Sequence, residues 1–336
     1  MATIHDVARA AGVAPSTVSR HINGFRVRRH EAIDEAIKEL GFRASASAQN
    51  LRKGSTQVVA MIVPDIQNPY YAATVAGAEA IGRQNGLRLF LCNTDEDLEI
   101  EQGVLRDMIG RVDGVILVPA SEGSSTALFE ASNAIPLVLM DRETANGSRF
   151  DTVLIDNYRG GQLAARHLLD LGHRAVAIVT GPLTASQSRA REQGFIETLE
   201  EAGVRIPETF VERGNFREDG GYQCAFNILS APKPPTALFV VNNMMSMGAL
   251  RAINDLKLSV PDDISLVCFD QLPCHGVISP RITTIQRPMH EQGAMAMRLI
   301  LTRLRSEEGG HRPRTLTMPV ELALGASTRR IAPRET

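Results

Sequence analysis

From residue 58 onward, seven short apolar or β-branched runs recur: VVAMIVP (58–64), LRLFLC (87–92), GVILVP (114–119), PLVLM (136–140), AVAIVTG (175–181), ALFVV (237–241) and ISLVCF (264–269). Each is the length of one strand, and most are continuously apolar rather than alternating, so both faces of each strand must meet protein. Helical patterns such as residues 76–84 and 159–171 lie between them. Strand, helix, strand in succession leads to a parallel sheet covered by helices on both sides. About 270 residues of this pattern exceed one doubly wound sheet, so the α/β body is expected to be two parallel doubly wound sheets with a cleft between them.

A different unit precedes this body. Residues 3–24, TIHDVARAAGVAPSTVSRHING, read as two short helices around a Gly-Val turn. Ile4, Val7, Ala8 and Ala11 give the first helix one apolar stripe, and Thr3 with Asp6 forms a capping-box-like start. Pro15 suits the first turn of a second helix, where the missing backbone N–H is tolerated. Val18 and Ile22 face inward, which turns Ser16, Thr17, Ser19 and Arg20 outward. Ala32, Ile33, Ala36, Ile37 and Leu40 mark a third helix, closed by Gly41. The outward groups of the second helix can donate hydrogen bonds to phosphates and base edges. A hairpin that packs only on another protein is the plain alternative.

Residues 44–56, ASASAQNLRKGST, hold one large apolar side chain, Leu51, and read as a linker. Residues 1–55 carry nine Lys and Arg against five Asp and Glu, a net of +4 on a chain whose total is −2. A basic head on an acidic body fits a nucleic-acid-binding module joined to something that does not bind nucleic acid.

The strand ends of the body carry polar groups. Asp65, Asn68, Tyr70 and Tyr71 follow the first run, Asp141 and Arg142 the fourth, Asn242 and Asn243 the sixth, and Asp270 the seventh. Arg189 and Arg191 precede Gly194–Phe195, and Phe216 lies in a further loop. Ligands of open α/β sheets sit beyond the carboxyl ends of the strands. Aromatic faces beside Arg, Asn and Asp suit a hydroxylated ring, with a turn cap or surface ion pair nearly as good a reading for any single residue. For Asp156–Asn157 the cap is preferred.

Together these segments resemble the lactose-repressor (LacI/GalR) family of bacterial transcriptional regulators almost end to end. The resemblance implies a three-helix helix-turn-helix head at 1–45, a hinge at 46–56 and a two-lobed periplasmic-binding-protein-like core at 57–330. Lobe 1 is expected at about 57–156 and 286–314, lobe 2 at about 157–285 and 315–330. By resemblance Pro15, Ser16 and Arg20 read bases, Thr17 and Ser19 contact phosphates, and Thr3 and Asn23 belong to the same DNA-binding set. Leu51, with Ala48 beside it, matches the hinge residue that wedges into the minor groove. Tyr71, Asp141, Arg191, Phe216, Asn242 and Asp270 match effector-binding positions.

Four departures from the family pattern stand out. The head is about two residues shorter after Gly24, Ala44–Ser45 replaces Pro-Asn before the hinge, and Ala14 stands where a Ser often caps the second helix. Asn243 also stands where an Asp is usual. The implied function is a repressor whose affinity for a roughly palindromic operator is controlled by a sugar or sugar derivative. A purine or other metabolite acting as corepressor, and a sugar-binding protein without DNA function, are the alternatives. The implied partners are double-stranded operator DNA, the small effector and a second copy of the chain in a homodimer; no tetramer-forming leucine heptad follows Arg329.

No G-x-G-x-x-G, G-x-x-x-x-G-K-[ST] or G-x-S-x-G occurs, so the sequence offers no phosphate loop or nucleophile elbow and an enzyme is not expected. The four cysteines and eight histidines show no ligand spacing, so no metal or cofactor is expected. Cys92 and Cys268 are expected to pack as small core residues. With no membrane-length apolar run and no secretory signal, the cytoplasm is the expected compartment.

Overall fold

A computed structural model describes residues 2–42, 55–123, 125–145, 147–273, 275–306 and 312–331. The hinge candidates Ala48 and Leu51, and Cys274, lie outside them. The chain divides into two compact units, 1–57 and 58–336.

The first unit is three helices, α1 (Ile4–Ala11), α2 (Pro15–Ile22) and α3 (His30–Glu39), packed on Val7, Ala8, Ala11, Val18, Ile33 and Ala36. Thr3 and Asp6 form a reciprocal capping box at α1. Gly12 ends α1 at φ 63°, a left-handed turn that glycine adopts without strain. Arg29 reaches back across this turn, its Nη1 donating to the Gly12 carbonyl at 3.0 Å, and His21 meets Asp34 at 2.7 Å. Pro15 opens α2, and its N-cap Ala14 makes no side-chain cap. One expectation is corrected: Ser19 does not face outward but is buried against the core beside Val18. At one residue past Val18 on a two-turn helix, it falls within the arc that α1 and α3 cover.

The second unit holds two six-stranded sheets. Strands β1 (Val58–Val63), β2 (Arg88–Asn93), β3 (Gly114–Leu117), β4 (Leu137–Met140), β5 (Asp151–Ile155) and β11 (Thr315–Met318) lie in the order β2-β1-β3-β4-β5-β11, all parallel. Strands β6 (Val176–Thr180), β7 (Val211–Arg213), β8 (Ala237–Val240), β9 (Ser265–Phe269), β10 (Thr283–Gln286) and β12 (Glu321–Ala323) repeat that order as β7-β6-β8-β9-β10-β12. Among the described residues only β10–β12 pairs antiparallel. All seven apolar runs are strands, and the pleat sends alternate residues to two cores. Val59, Met61 and Val63 pack on one face of the first sheet, Ala60 and Ile62 on the other. Cys268 is buried in β9, whereas Cys92, on the edge strand β2, is only half-buried.

The expected lobe boundary at 315 is corrected. Thr315–Met318 pairs with β5 in the first sheet, and only residues from Glu321 onward join the second. TLTM alternates polar and apolar as an edge strand does, and nothing local says which sheet it borders.

Three helix pairs cross at facing glycines. A Cβ on Gly77 would lie 1.9 Å from the His290 carbonyl oxygen and one on Gly293 1.8 Å from that of Thr74, so helices Pro69–Gln84 and Met289–Arg305 touch backbone to backbone. Gly161 with Gly194, and Gly221 with Gly248, do the same for helices Asn157–Asp170 with Ser186–Glu201 and Glu218–Leu229 with Asn243–Asp255. Among the described residues no helix is long and apolar enough to cross a membrane.

His173 fastens the far end of the chain. Its Nε2 faces the Arg329 carbonyl at 3.1 Å and must carry the proton, and its Nδ1 lies 2.8 Å from Thr236 Oγ1, whose hydroxyl also reaches the Ala175 carbonyl at 3.0 Å. Burial pulls its pKa down to about 4. The unfolded chain, with a His near 6.5, therefore binds more protons than the folded one below that pH. The contribution is complete above pH 6.5 and declines as pH falls toward 4. Thermal melts of wild type and His173→Gln between pH 7 and 4 are expected to show the wild type losing stability more steeply, by up to about one proton.

Candidate functional site

The carboxyl ends of the strands in the two sheets face a common cleft, which spans about 480 Å³ including its open mouth. All six effector candidates, Tyr71, Asp141, Arg191, Phe216, Asn242 and Asp270, line it. Asn68 and Asn242 sit where strands turn into helices and accept backbone N–H bonds as N-caps, from Tyr70 at 3.0 Å and Met245 at 2.9 Å. Asn242 also donates to the Phe216 carbonyl at 3.0 Å, so its amide is engaged at both ends within the protein. Asp156 caps its helix through the Arg159 N–H at 2.9 Å, as the sequence suggested.

At the centre stands a residue the sequence reading missed. Arg287, just past β10, donates through Nε and Nη2 to the two oxygens of Asp270 at 2.8 and 2.7 Å and through Nη1 to Asp141. Its guanidinium carbon lies 3.4 Å from the Tyr70 ring centroid. Asp141 ends β4 and Asp270 ends β9, strands at the same place in the two sheets, and both residues have φ 69°. Burial would raise the Asp141 carboxyl, but Arg287, Arg191 and Arg142 outweigh it and hold it below its usual value.

Arg191 is fixed by the Gly161–Gly194 crossing one turn away. Nε donates to Asn157 Oδ1 at 2.8 Å, Nη1 to the Val241 carbonyl at 2.6 Å, and the guanidinium stacks 3.6 Å from the Phe269 ring centroid. Its Nη2 is buried with no hydrogen-bond partner. Burial lowers its pKa to about 10. Arg142 forks onto both oxygens of Glu96 at 2.6 and 2.7 Å, leaving its buried Nε without a partner. Gln187 Oε1 is likewise buried and unpartnered. Phe216, at φ 65°, lays its ring over Gly181, where a Cβ would come within 2.3 Å of it. A phenylalanine held in the left-handed region is the kind of strain found at ligand-facing positions.

Further contacts cross the mouth of the cleft. Arg217 meets Asp95 at 2.7 Å, Arg189 meets Glu122, Asn243 donates to Asn68 at 3.0 Å, and the Glu143 N–H donates to Ser186 Oγ at 3.2 Å. Asn243, which departs from the usual Asp, is thus a lobe-to-lobe hydrogen-bond donor.

In the head, Ser16 and Arg20 are exposed on α2, Pro15 and Thr17 are half-buried, and the Arg20 guanidinium lies 5.9 Å from the ring centroid of exposed Phe25. Asn23 is exposed and bonds back to the Ser19 carbonyl at 2.7 Å. Thr3 is engaged in its cap.

Residues 3–45 match the family model of bacterial regulatory proteins of the lacI family, and residues 165–328 match that of a periplasmic binding protein-like domain. The HTH-type transcriptional repressor PurR of Actinobacillus pleuropneumoniae serotype 3 (strain JL03) is 35% identical over 98% of this chain and 99% of its own. The chain belongs to the LacI family of bacterial regulators. Like its relatives, this LacI-family chain is a DNA-binding transcriptional regulator with a ligand-binding core. The solved transcriptional regulator CelR–cellobiose complex is 30% identical, with a TM-score of 0.73 over 97% of this chain and 100% of that one. The lac repressor dimer bound to operator and the anti-inducer ONPF superposes with a TM-score of 0.82 over 98% of this chain and 99% of that one; at 24% identity it shows the shared fold.

Replacing Asp270 by Asn leaves Arg287 with a weakened bidentate partner at the heart of the cleft. Breaking a buried ion pair on one side costs about 3–5 kcal/mol. Asp270→Asn is expected to melt well below wild type, whereas Asp95→Asn, which removes an exposed pair, is expected to change the melting temperature little.

Proposed function

We propose that the chain is a repressor whose hold on a roughly palindromic operator is set by a small polyhydroxylated molecule, a sugar or sugar derivative, bound between the two lobes. The reading is carried by one observation: Tyr71 and Phe216 line a single cleft together with Arg191, Asn242, Asp141 and Asp270 from both sheets, in a chain that also carries a helix-turn-helix head. Flat apolar faces for a ring beside fixed polar groups suit a hydroxylated ligand. Acid–base turnover is a poor fit, because Asp141 and Asp270 are both hydrogen-bonded to Arg287 rather than paired with a nucleophile or with each other, and this reading gives the chain no enzymatic role.

On DNA, two copies would present α2 to successive major grooves, with Pro15, Ser16 and Arg20 at base edges and Thr3, Thr17 and Asn23 nearer the phosphates. Ser19, being buried, is left the smallest share. Ala48 and Leu51 are assigned to the minor groove at the centre of the operator. Effector and operator would then be linked reciprocally, each changing the other's affinity by the same factor, typically ~5–150-fold.

A purine-responsive corepressed regulator is the second reading, favoured by the PurR relatives. The two differ in sign, since a corepressor tightens operator binding and an inducer loosens it. Operators selected from random duplex with the full chain, followed by binding titrations with and without sugars or purines, separate them. Arg20→Ala is expected to weaken operator binding by roughly 1–3 kcal/mol while leaving non-specific duplex nearly unaffected. An equal loss on both duplexes would remove Arg20 from base reading. Arg191→Ala is expected to keep operator binding and lose the effector response; a response at unchanged effector concentration would remove the cleft from the mechanism.

A further inference from the structure

The buried lining of the cleft leaves more donors than acceptors unanswered. Its carboxylates are committed to guanidinium groups: both Glu96 oxygens to Arg142, both Asp270 oxygens to Arg287, and one Asp141 oxygen to Arg287 as well. Asp65 spends one oxygen on the Gln67 N–H at 2.9 Å. Among the described residues, the buried lining groups without a partner are two guanidinium donors, Arg142 Nε and Arg191 Nη2, and one acceptor, Gln187 Oε1. A neutral sugar's hydroxyls can accept from these donors but bring no charge. A carboxylate brings acceptors for the donors that remain.

Charge points the same way. Arg191 is 2% exposed, and its hydrogen-bond partners are a side-chain amide oxygen and a backbone carbonyl; it makes no ion pair among the described residues. A buried cation of this kind is costly unless a counter-ion joins it. Arg142 and Arg287 each touch a carboxylate directly, whereas Asp270 and Asp141 answer the Arg191 charge only from a distance and Arg287 opposes it.

Building on the reading above, we infer that the effector is a polyhydroxylated carboxylic acid, a sugar acid rather than a neutral sugar. Its carboxylate meets the free N–H groups of Arg191 and Arg142, and a hydroxyl donates to Gln187. Arg287 is a positioning residue: by occupying Asp270 and Asp141 it withdraws from the ligand the carboxylates that would otherwise select neutral hydroxyl pairs.

The test uses the full chain and matched probes: gluconate with glucose, glucuronate with glucose, galacturonate with galactose, and the purine bases hypoxanthine and guanine. Binding is followed by calorimetry and by the shift in melting temperature. At least one acid is expected to bind about tenfold or more tightly than its neutral partner. Arg191→Gln, which keeps hydrogen-bonding capacity and removes the charge, is expected to erase that preference. Should this variant not fold, Arg142→Gln is expected to weaken acid binding without affecting neutral sugars. A neutral sugar that binds as tightly as its acid overturns the inference and leaves the sugar-responsive reading standing. Purine binding alone overturns both, and an acid preference that survives Arg191→Gln and Arg142→Gln unchanged overturns the assignment of the carboxylate to these donors.

Discussion

One guanidinium holds the two lobes in register. Arg287 stands between carboxylates that end equivalent strands of the two sheets, so its geometry is satisfied only when β4 and β9 present their ends to the same point. Charges this deep are tolerated because each is answered. Asp270 receives a parallel fork, Asp141 a third N–H, and Tyr70 offers its ring face to the cation. The left-handed backbone at Asp141 and Asp270 is part of the same arrangement, since it turns each carboxylate back toward the cleft instead of continuing along the strand. Short polar side chains are the ones that accept this conformation most readily.

The glycine crossings set how finely this can be placed. Where backbones touch at Gly77–Gly293, Gly161–Gly194 and Gly221–Gly248, helix pairs have no freedom to slide, and the residues one turn toward the cleft inherit that rigidity. Arg191 and Asn157 lie one turn ahead of Gly194 and Gly161, and they hydrogen-bond to each other. The site is therefore positioned by backbone packing, which a side-chain change nearby disturbs less than an added methyl at a crossing.

What could be read from the sequence follows the strength of the local signal. Runs such as VVAMIV and SLVCF are apolar throughout because they are covered on both faces, and they announce central strands. DTVLI, VER, TTIQ, TLTM and ELA are the strands the pattern missed: they are short, carry polar residues or border an edge, and owe their state to neighbours rather than to propensity. Asp141, Asn242 and Asp270 were legible because they sit at the ends of obvious strands, and Tyr71 because it opens the helix after another; Arg191, inside a helix, and Phe216, beyond the missed strand VER, were legible through the family resemblance. Arg287 was not, because it follows one of the obscure ones; in QRPMHEQ an arginine looks like surface charge. The available signal was Pro288, which marks the start of a helix and hence a preceding strand end that deserved the same scrutiny as the others. Ser19 was misread for a related reason, since a two-turn helix wedged between two others buries more than a single stripe.

The energies of the lobe-to-lobe contacts fit a device that must be movable. Arg217–Asp95 and Arg189–Glu122 at the mouth are substantially exposed, and pairs of that kind contribute about 0–1 kcal/mol each. Allosteric coupling between two sites typically amounts to about 1–3 kcal/mol. A rim much stronger than this would lock the lobes together regardless of ligand; a rim of this strength lets a few ligand contacts tip the balance. The buried Arg287 cluster is too costly to break for so small a driving force. It suits a pivot that stays made while the mouth around Asp95 and Glu122 opens and shuts, and only motions that preserve Arg287 between its two carboxylates are then available to carry a signal from the cleft.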